Sequence, residues 1–267
     1  PTASAAPPRA VVVPCGAVLT TSVRLAADVT CPGGSGTVGV TLAADGIELN
    51  LNGHALTGPG VRFGTTGVRV AARDVVVRGG TVRGWSSGVS AGREVDAPDE
   101  PVPGRGTVRA ARVEGNTVGV DALVGGDLTV RGSRLAGNGR GGFAYVGGRL
   151  RVETSTVEGN DVGLAAFSNA DGGFVVRDSL VRGNRGAGIA CDPDGDFDVN
   201  GTTVQRNGTG LAVSLCSGRV EGSRFLWNGR HLDTYLVEGD VVTLACTTFT
   251  RDGGPVPLPV QPCAPAP

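Results

Sequence analysis

The sequence predicts an all-β chain wound as a right-handed parallel β-helix, a solenoid of about nine coils with disulfide-closed caps, and three observations predict it. First, an asparagine recurs in nearly fixed surroundings, EGNTVGV, AGNGRGG, EGNDVGL, RGNRGAGI, QRNGTGL and LWNGRHL. These are Asn116, Asn138, Asn160, Asn184, Asn207 and Asn228, at intervals of 22, 22, 24, 23 and 21 residues. Self-similarity at such a period marks units that bury their apolar faces only against one another. Second, apolar columns keep step with the asparagine. Third, the runs between the 46 glycines are short and alternating, with no ten-residue stretch of helical period.

Each turn follows the same order. A valine column (Val108, Val130, Val152, Val176, Val199, Val220) comes first, and five residues on a second column follows (Val113, Leu135, Val157, Val181, Val204, Phe225), three residues before the asparagine. Two residues before the second column most turns carry a hydroxyl: Ser133, Ser155, Ser179, Thr202 and Ser223. The columns extend outward as Leu51/Leu56, Val77/Val82 and Leu244/Phe249, with Pro59, Trp85 and Asp252 where asparagine would stand. Three short strands per turn make one coil, the preference for right-handed crossovers sets the hand, and nine coils at ~4.8 Å make a rod of about 43 Å. Stacked asparagines and serines are expected to bond the backbone of bends that no sheet satisfies.

Along the chain, PTASAAPPRA at 1–10 has the Pro/Ala character of a mature N-terminus left after a targeting segment is removed, and is expected to be disordered. The β-helix is expected over 11–252, with an N-terminal cap at 11–35, a lid-like insertion at 90–106 and a capping tail at 253–267. Six cysteines point to an oxidising, extracytoplasmic compartment. Their placement suggests Cys15–Cys31 and Cys246–Cys263 as staples at the ends and Cys191–Cys216 across neighbouring coils. The basic residues, 24 arginines and no lysine, are scattered through a chain of net charge −1, so no nucleic-acid patch is expected. No apolar run approaches the ~18 residues of a membrane span. A monomer or weak homodimer is expected.

At 45–60 the run DGIELNLNGHALTGPG, followed by GVRVAARDVVVRGGTVRG, is similar to the opening coils of right-handed parallel β-helix proteins of the pectate-lyase-like superfamily. CGAVLTTSVRLAADVTC resembles the N-terminal cap of secreted actinobacterial members. The resemblance spans roughly 11–252 and implies the fold. For function it implies a range: polysaccharide lyases, hydrolases, epimerases, adhesins and proteins without activity. The paired aspartates with GHG of polygalacturonases, the RxPxxR of pectate lyases and the DPH of mannuronan epimerases do not occur here. His54, within the opening motif, reads as a hydrogen-bonded corner residue.

In such enzymes the working surface is a groove along one sheet, and here the strand after each ladder asparagine is the candidate, because a long insertion sits beside it. That insertion, GREVDAPDEPVPGRG, carries Glu94, Asp96, Asp99 and Glu100. Alternate residues face outward, which gives the columns Asp121, Phe143, Ala165 and Leu123, Tyr145, Phe167, continuing through Ala190, Asp192, Ala212, Ser214, Asp233 and Tyr235. A one-residue slip at Gly141–Gly142 would turn Ala144 and Val146 outward instead. Either way the stripe is apolar and partly aromatic, as a binding surface is. Leu123, Phe143, Val146, Phe167, Tyr235, Asp233 and Trp85 are taken as substrate-binding, and Asp121, Tyr145 and Glu94 as catalytic. DPDGDFD spaces Asp192, Asp194, Asp196 and Asp198 as a calcium site would; otherwise no cofactor is expected.

Three functions fit these features. One is a cofactor-free cyclase or isomerase that holds a largely apolar small molecule in a near-attack geometry, with Asp121, Tyr145 or Glu94 polarising one group. The second is a polysaccharide lyase or epimerase with sugar rings on the aromatic stripe. The third is a non-catalytic scaffold. The apolar stripe and the missing sugar-enzyme motifs favour the first.

Overall fold

Each coil of the computed structural model, which describes residues 9–61, 63–92, 104–168 and 173–263, turns through three short parallel strands. In one coil these are Asp127–Arg131, Arg134–Ala136 and Arg140–Tyr145. Stacking the coils gives three sheets. Sheet 1 has 12 strands; sheet 2, built of the short strands, and sheet 3, built of those after each asparagine, have 10 each. All pairings are parallel, and the described residues hold no α-helix, only one 3₁₀ turn at Arg251–Gly253.

The apolar columns are the core. Val108, Val130 and Val152 stack in register in sheet 1, as Val113, Leu135 and Val157 do in sheet 2, and all six are at most 1% exposed. The N-terminal extension differs by two residues: Leu49, not Leu51, pairs with Val77. Asn52 and Gly53 lengthen the following corner, and Leu51 is buried on the way into it.

The corner from sheet 2 to sheet 3 is closed by the asparagine ladder. Asn160 is representative: its Oδ1 accepts from the Asn138 backbone N–H (2.9 Å) and from Asn138 Nδ2 (3.1 Å). Its own Nδ2 donates to Asn184 Oδ1 (3.0 Å) and to the Leu135 carbonyl (3.2 Å). The corner from sheet 1 to sheet 2 uses the hydroxyl column likewise, the Ser133 N–H donating to Ser155 Oγ at 3.1 Å while Ser133 Oγ bonds the Arg131 carbonyl at 2.9 Å. Thr247 extends that column. His54 is a corner residue, with Nδ1 3.1 Å from Asp28 Oδ1.

Trp85 begins the asparagine ladder. Its N–H donates to Asn116 Oδ1, its indole Nε1 to the Leu56 carbonyl, and its side chain is wholly buried. It is therefore corrected from a substrate-binding residue to part of the core, because the asparagine position points into the coil.

The disulfides are Cys15–Cys31, Cys191–Cys216 and Cys246–Cys263. The chain is in sheet 1 from Ala10, and Val260–Gln261 forms that sheet's last strand. Val256 and Leu258 of the tail pack against the core.

Two predictions follow from this architecture. Asn160→Ala strands buried donors and acceptors on both neighbouring coils, so it should cost about 2–4 kcal/mol, read by denaturant titration; a loss below that of a surface Asn→Ala control would remove the ladder's structural role. The other concerns Glu158, whose two oxygens each lie 2.5 Å from an arginine Nε, of Arg134 and of Arg182. Burial alone would raise its pKa, but the two arginines outweigh this and hold it below the ordinary 4.5. A depressed folded-state pKa stabilises above the unfolded value and the benefit fades as pH falls through the folded one. Glu158→Gln should therefore lower Tm at neutral pH, with the difference from wild type closing as pH drops below about 4.5; a gap that does not narrow would refute the ion-pair origin.

Candidate functional site

The outer face of sheet 3 is built by period-2 alternation on strands whose inner residues (Val120, Leu164, Ile189, Leu211) are fully buried. The register runs Asp121–Phe143–Ala165–Ala190–Ala212–Asp233 along one outward row. Tyr145 pairs with Phe167, and Ser214 with Tyr235, in the next. Strict 22-residue register thus holds and the one-residue slip does not: Ala144 is completely buried. Val146 lies beyond the strand in a left-handed corner (φ 41°), which takes it out of the substrate-binding row. Leu123 follows Ala122 directly, half-buried, at the edge of the row.

Three rings stack along this face. Phe143 and Tyr145 have centroids 5.6 Å apart with planes inclined at 20°, and Tyr145 and Phe167 are 5.8 Å apart at 26°. The Arg140 guanidinium lies 4.9 Å above the Phe143 ring centre. Sequence reasoning missed Arg140; its place at the start of the strand, two residues before Gly142, gave no sign that it would fold back over the ring. Beyond the rings, Ala165, Ala190 and Ala212 form a low floor. A depression of about 330 Å³ between Phe143, Phe167 and Asp192 is continued by one of about 260 Å³ reaching Asp233 and Tyr235. Small side chains in the row make that trough. Asp192 and Asp233 are exposed, with Asp233 held by Arg230 at 2.9 Å.

The expected catalytic set is not assembled as such. Asp121 faces outward by register but is only 3% exposed, with Ser87 Oγ donating to its Oδ2 at 2.5 Å. A carboxylate so covered does not meet a ligand lying on the face, so Asp121 is corrected to a buried polar support beside Phe143. Glu94 lies outside the described residues. Tyr145 is in the ring row. The calcium expectation is also corrected: among the described residues no group of three or more His, Cys, Asp or Glu is placed to hold a metal ion. The chain turns within DPDGDFD, at Asp194 (φ 61°), so that Asp192 ends on sheet 3 while Asp196 and Asp198 lie on sheet 1, Asp198 paired with Arg177.

What remains is an open trough with three stacked rings at one end, Asp192 along its length and Asp233 beside Tyr235 at the other end. Aromatic faces stack on flat apolar surfaces, and the carboxylates accept hydrogen bonds or protons.

Residues 45–225 match the model of the right handed beta helix region. No curated protein matches the chain. Among solved structures the chain is similar to the catalytic unit of a thermostable GH87 α-1,3-glucanase from Streptomyces thermodiastaticus strain HF3-3. The TM-score is 0.60 at 14% identity, over 94% of this chain and 59% of that one. It is also similar to the pectate lyase Pel9A, with TM-score 0.58 at 13% identity over 84% of this chain and 64% of that one. At these identities the likeness is one of fold, and the chain spans about three fifths of each neighbour's length.

Asp121→Ala should lower stability by about 1–3 kcal/mol, because Ser87 loses a buried hydrogen-bond partner, while ligand affinity on sheet 3 stays within about twofold. Paired melting and binding titrations check this. Lost affinity at unchanged Tm would return Asp121 to the site.

Proposed function

The chain belongs to the right-handed β-helix family, and from that premise we propose that it is a secreted protein that binds and acts on a polysaccharide laid along sheet 3, parallel to the rod axis. The observation that carries this reading is the Phe143–Tyr145–Phe167 row running into the alanine floor. A sugar ring presents a flat face of C–H bonds that stacks on such rings, and its rim of hydroxyls needs acceptors, which Asp192, Ser214 and Asp233 provide. Arg140, over the Phe143 ring, puts a positive charge on the same face, which suits a carboxylate-bearing sugar. Asp192 and Asp233, both exposed, are the acid–base candidates.

The activities named for the two fold neighbours, a pectate lyase and an α-1,3-glucanase, are in keeping with a glycan as the ligand. Three disulfides support a place outside the reducing cytosol. No helix among the described residues is long and apolar enough to cross a membrane. No observation favours cyclisation of an apolar small molecule. That chemistry needs a site closed to water, and here Phe167 is 41% and Tyr235 65% exposed beside the exposed Asp192 and Asp233.

Calorimetry with oligouronates and neutral glucans tests the reading. Tyr145→Ala/Phe167→Ala should weaken the preferred oligosaccharide about tenfold or more, two stacked rings being worth roughly 0.5–1.5 kcal/mol each. Asp192→Asn or Asp233→Asn should abolish turnover with binding retained. Wild-type affinity in the double aromatic variant would sink the proposal, and absence of turnover on every bound glycan would reduce it to a binding protein.

A further inference from the structure

A second groove runs along a different face, over the corner where sheet 2 gives way to the asparagine ladder. Its volume is about 1040 Å³. The residue before each ladder asparagine must adopt left-handed backbone, and at Gly115, Gly137, Gly159 and Gly183 (φ 60–64°) it is glycine. A Cβ at any of these four would meet nothing within 4 Å, so the missing side chains leave open space instead of a packed contact.

The lining is charged. Arg83, Arg134, Arg182 and Arg206 face Glu114 and Glu158 across or along the groove, four positive charges against two negative, a local surplus of two in a chain whose net charge is −1. The carboxylates are committed to holding the arginines. Glu158 binds Arg134 and Arg182, and Glu114 binds Arg112 at 3.2 Å and Arg134 at 3.6 Å. Each of these contacts occupies one edge of a guanidinium that has five donors. Arg83 and Arg182 share one outward row, four coils or ~19 Å apart, and Arg134 stands on the coil midway between them, two residues away along its strand. At the C-terminal end Arg206 lies 5.3 Å over the Trp227 ring, which is 50% exposed.

We propose that this groove is a separate binding site for an extended acidic glycan, whose carboxylates or sulfates engage the arginines and whose terminal sugar stacks on Trp227. An open trough with cations spread over several coils matches an extended polyanion whose charges recur along its length. The fork of arginine suits the two oxygens of a carboxylate or sulfate. A nucleic-acid strand fits less well, because successive bases stack on successive rings, whereas no ring lines this groove among the described residues and Trp227 stands beyond its end, against Arg206. The site shares no residue with the sheet 3 trough, so it stands whether or not that trough processes a glycan.

The experiment is calorimetry with oligogalacturonate, a neutral dextrin of equal length and a single-stranded oligonucleotide. The proteins are wild type, Arg134→Gln/Arg182→Gln, Arg206→Gln, Gly159→Asn and the sheet 3 variant Tyr145→Ala/Phe167→Ala. Oligogalacturonate should bind wild type and weaken with added salt. The double arginine variant should lose about tenfold or more in affinity, the scale of one or two charge-assisted hydrogen bonds. Because that variant leaves Glu158 without its arginines, two others guard against misfolding. Arg206→Gln breaks no ion pair among the described residues. Gly159→Asn obstructs the floor with no change of charge, at a left-handed position that asparagine tolerates. Both should weaken the oligogalacturonate at unchanged Tm. The sheet 3 variant should leave this site intact, so failure of one site is told apart from failure of the other. Uronate affinity equal to wild type in Gly159→Asn and Arg206→Gln would overturn the proposal, as would dextrin or oligonucleotide binding the groove as tightly as oligogalacturonate.

Discussion

A chain that turns three corners per coil must satisfy, at every corner, backbone groups that no sheet can pair. Where the corner is buried the unpaired group costs about as much as a lost hydrogen bond, and it recurs with each coil. The asparagine side chain solves this from within the repeat, because its amide both accepts from the coil before and donates to the coil after. Asn116 through Asn228 are at most 3% exposed. The rest of the architecture depends on this constraint: coils stay in register because an asparagine one residue out of line would meet no partner.

Fixed register has a surface consequence. Outward side chains fall into straight rows, so a property placed at one position per coil becomes a continuous feature of the rod. On sheet 3 this produces the ring row and its alanine floor; at the ladder corner it produces the glycine floor of the charged groove. Among the described residues the corner from sheet 3 back to sheet 1 carries no such ladder and varies in length.

A ladder must also end. At the N-terminal side Trp85 supplies the donor for Asn116. At the other end Asn228 Nδ2 donates to His231 Nδ1 (3.3 Å), so the ring proton sits on Nε2, which donates to the Thr250 carbonyl at 2.7 Å. His231 is completely buried, and Gly253 lies so close that a Cβ there would come within 2.2 Å of the ring. The C-terminal segment, tied by Cys246–Cys263, thus closes the last coil around a histidine that continues the asparagine pattern with a different side chain.

The repeat, the three strands per coil, the two apolar columns, both polar ladders and all three cysteine pairings were readable in the sequence, since each is a one-dimensional regularity that a stacked fold converts directly into contact. The outward rows on sheet 3 were readable too, because strand alternation needs only a starting residue. Other features depend on what stands nearby in three dimensions. Asp121 has the same register as Phe143, yet lies covered beside Ser87. Trp85 occupies an asparagine position and so faces inward, and the DPDGDFD carboxylates part because the chain turns a corner between them. The arginine groove joins residues some 22 positions apart, and their pairing with Glu114 and Glu158 exists only once neighbouring coils stack. Sequence determined which residues repeat; the tertiary structure decided which of them reach solvent and which charges meet, because exposure and ion pairing are set by the coils above and below.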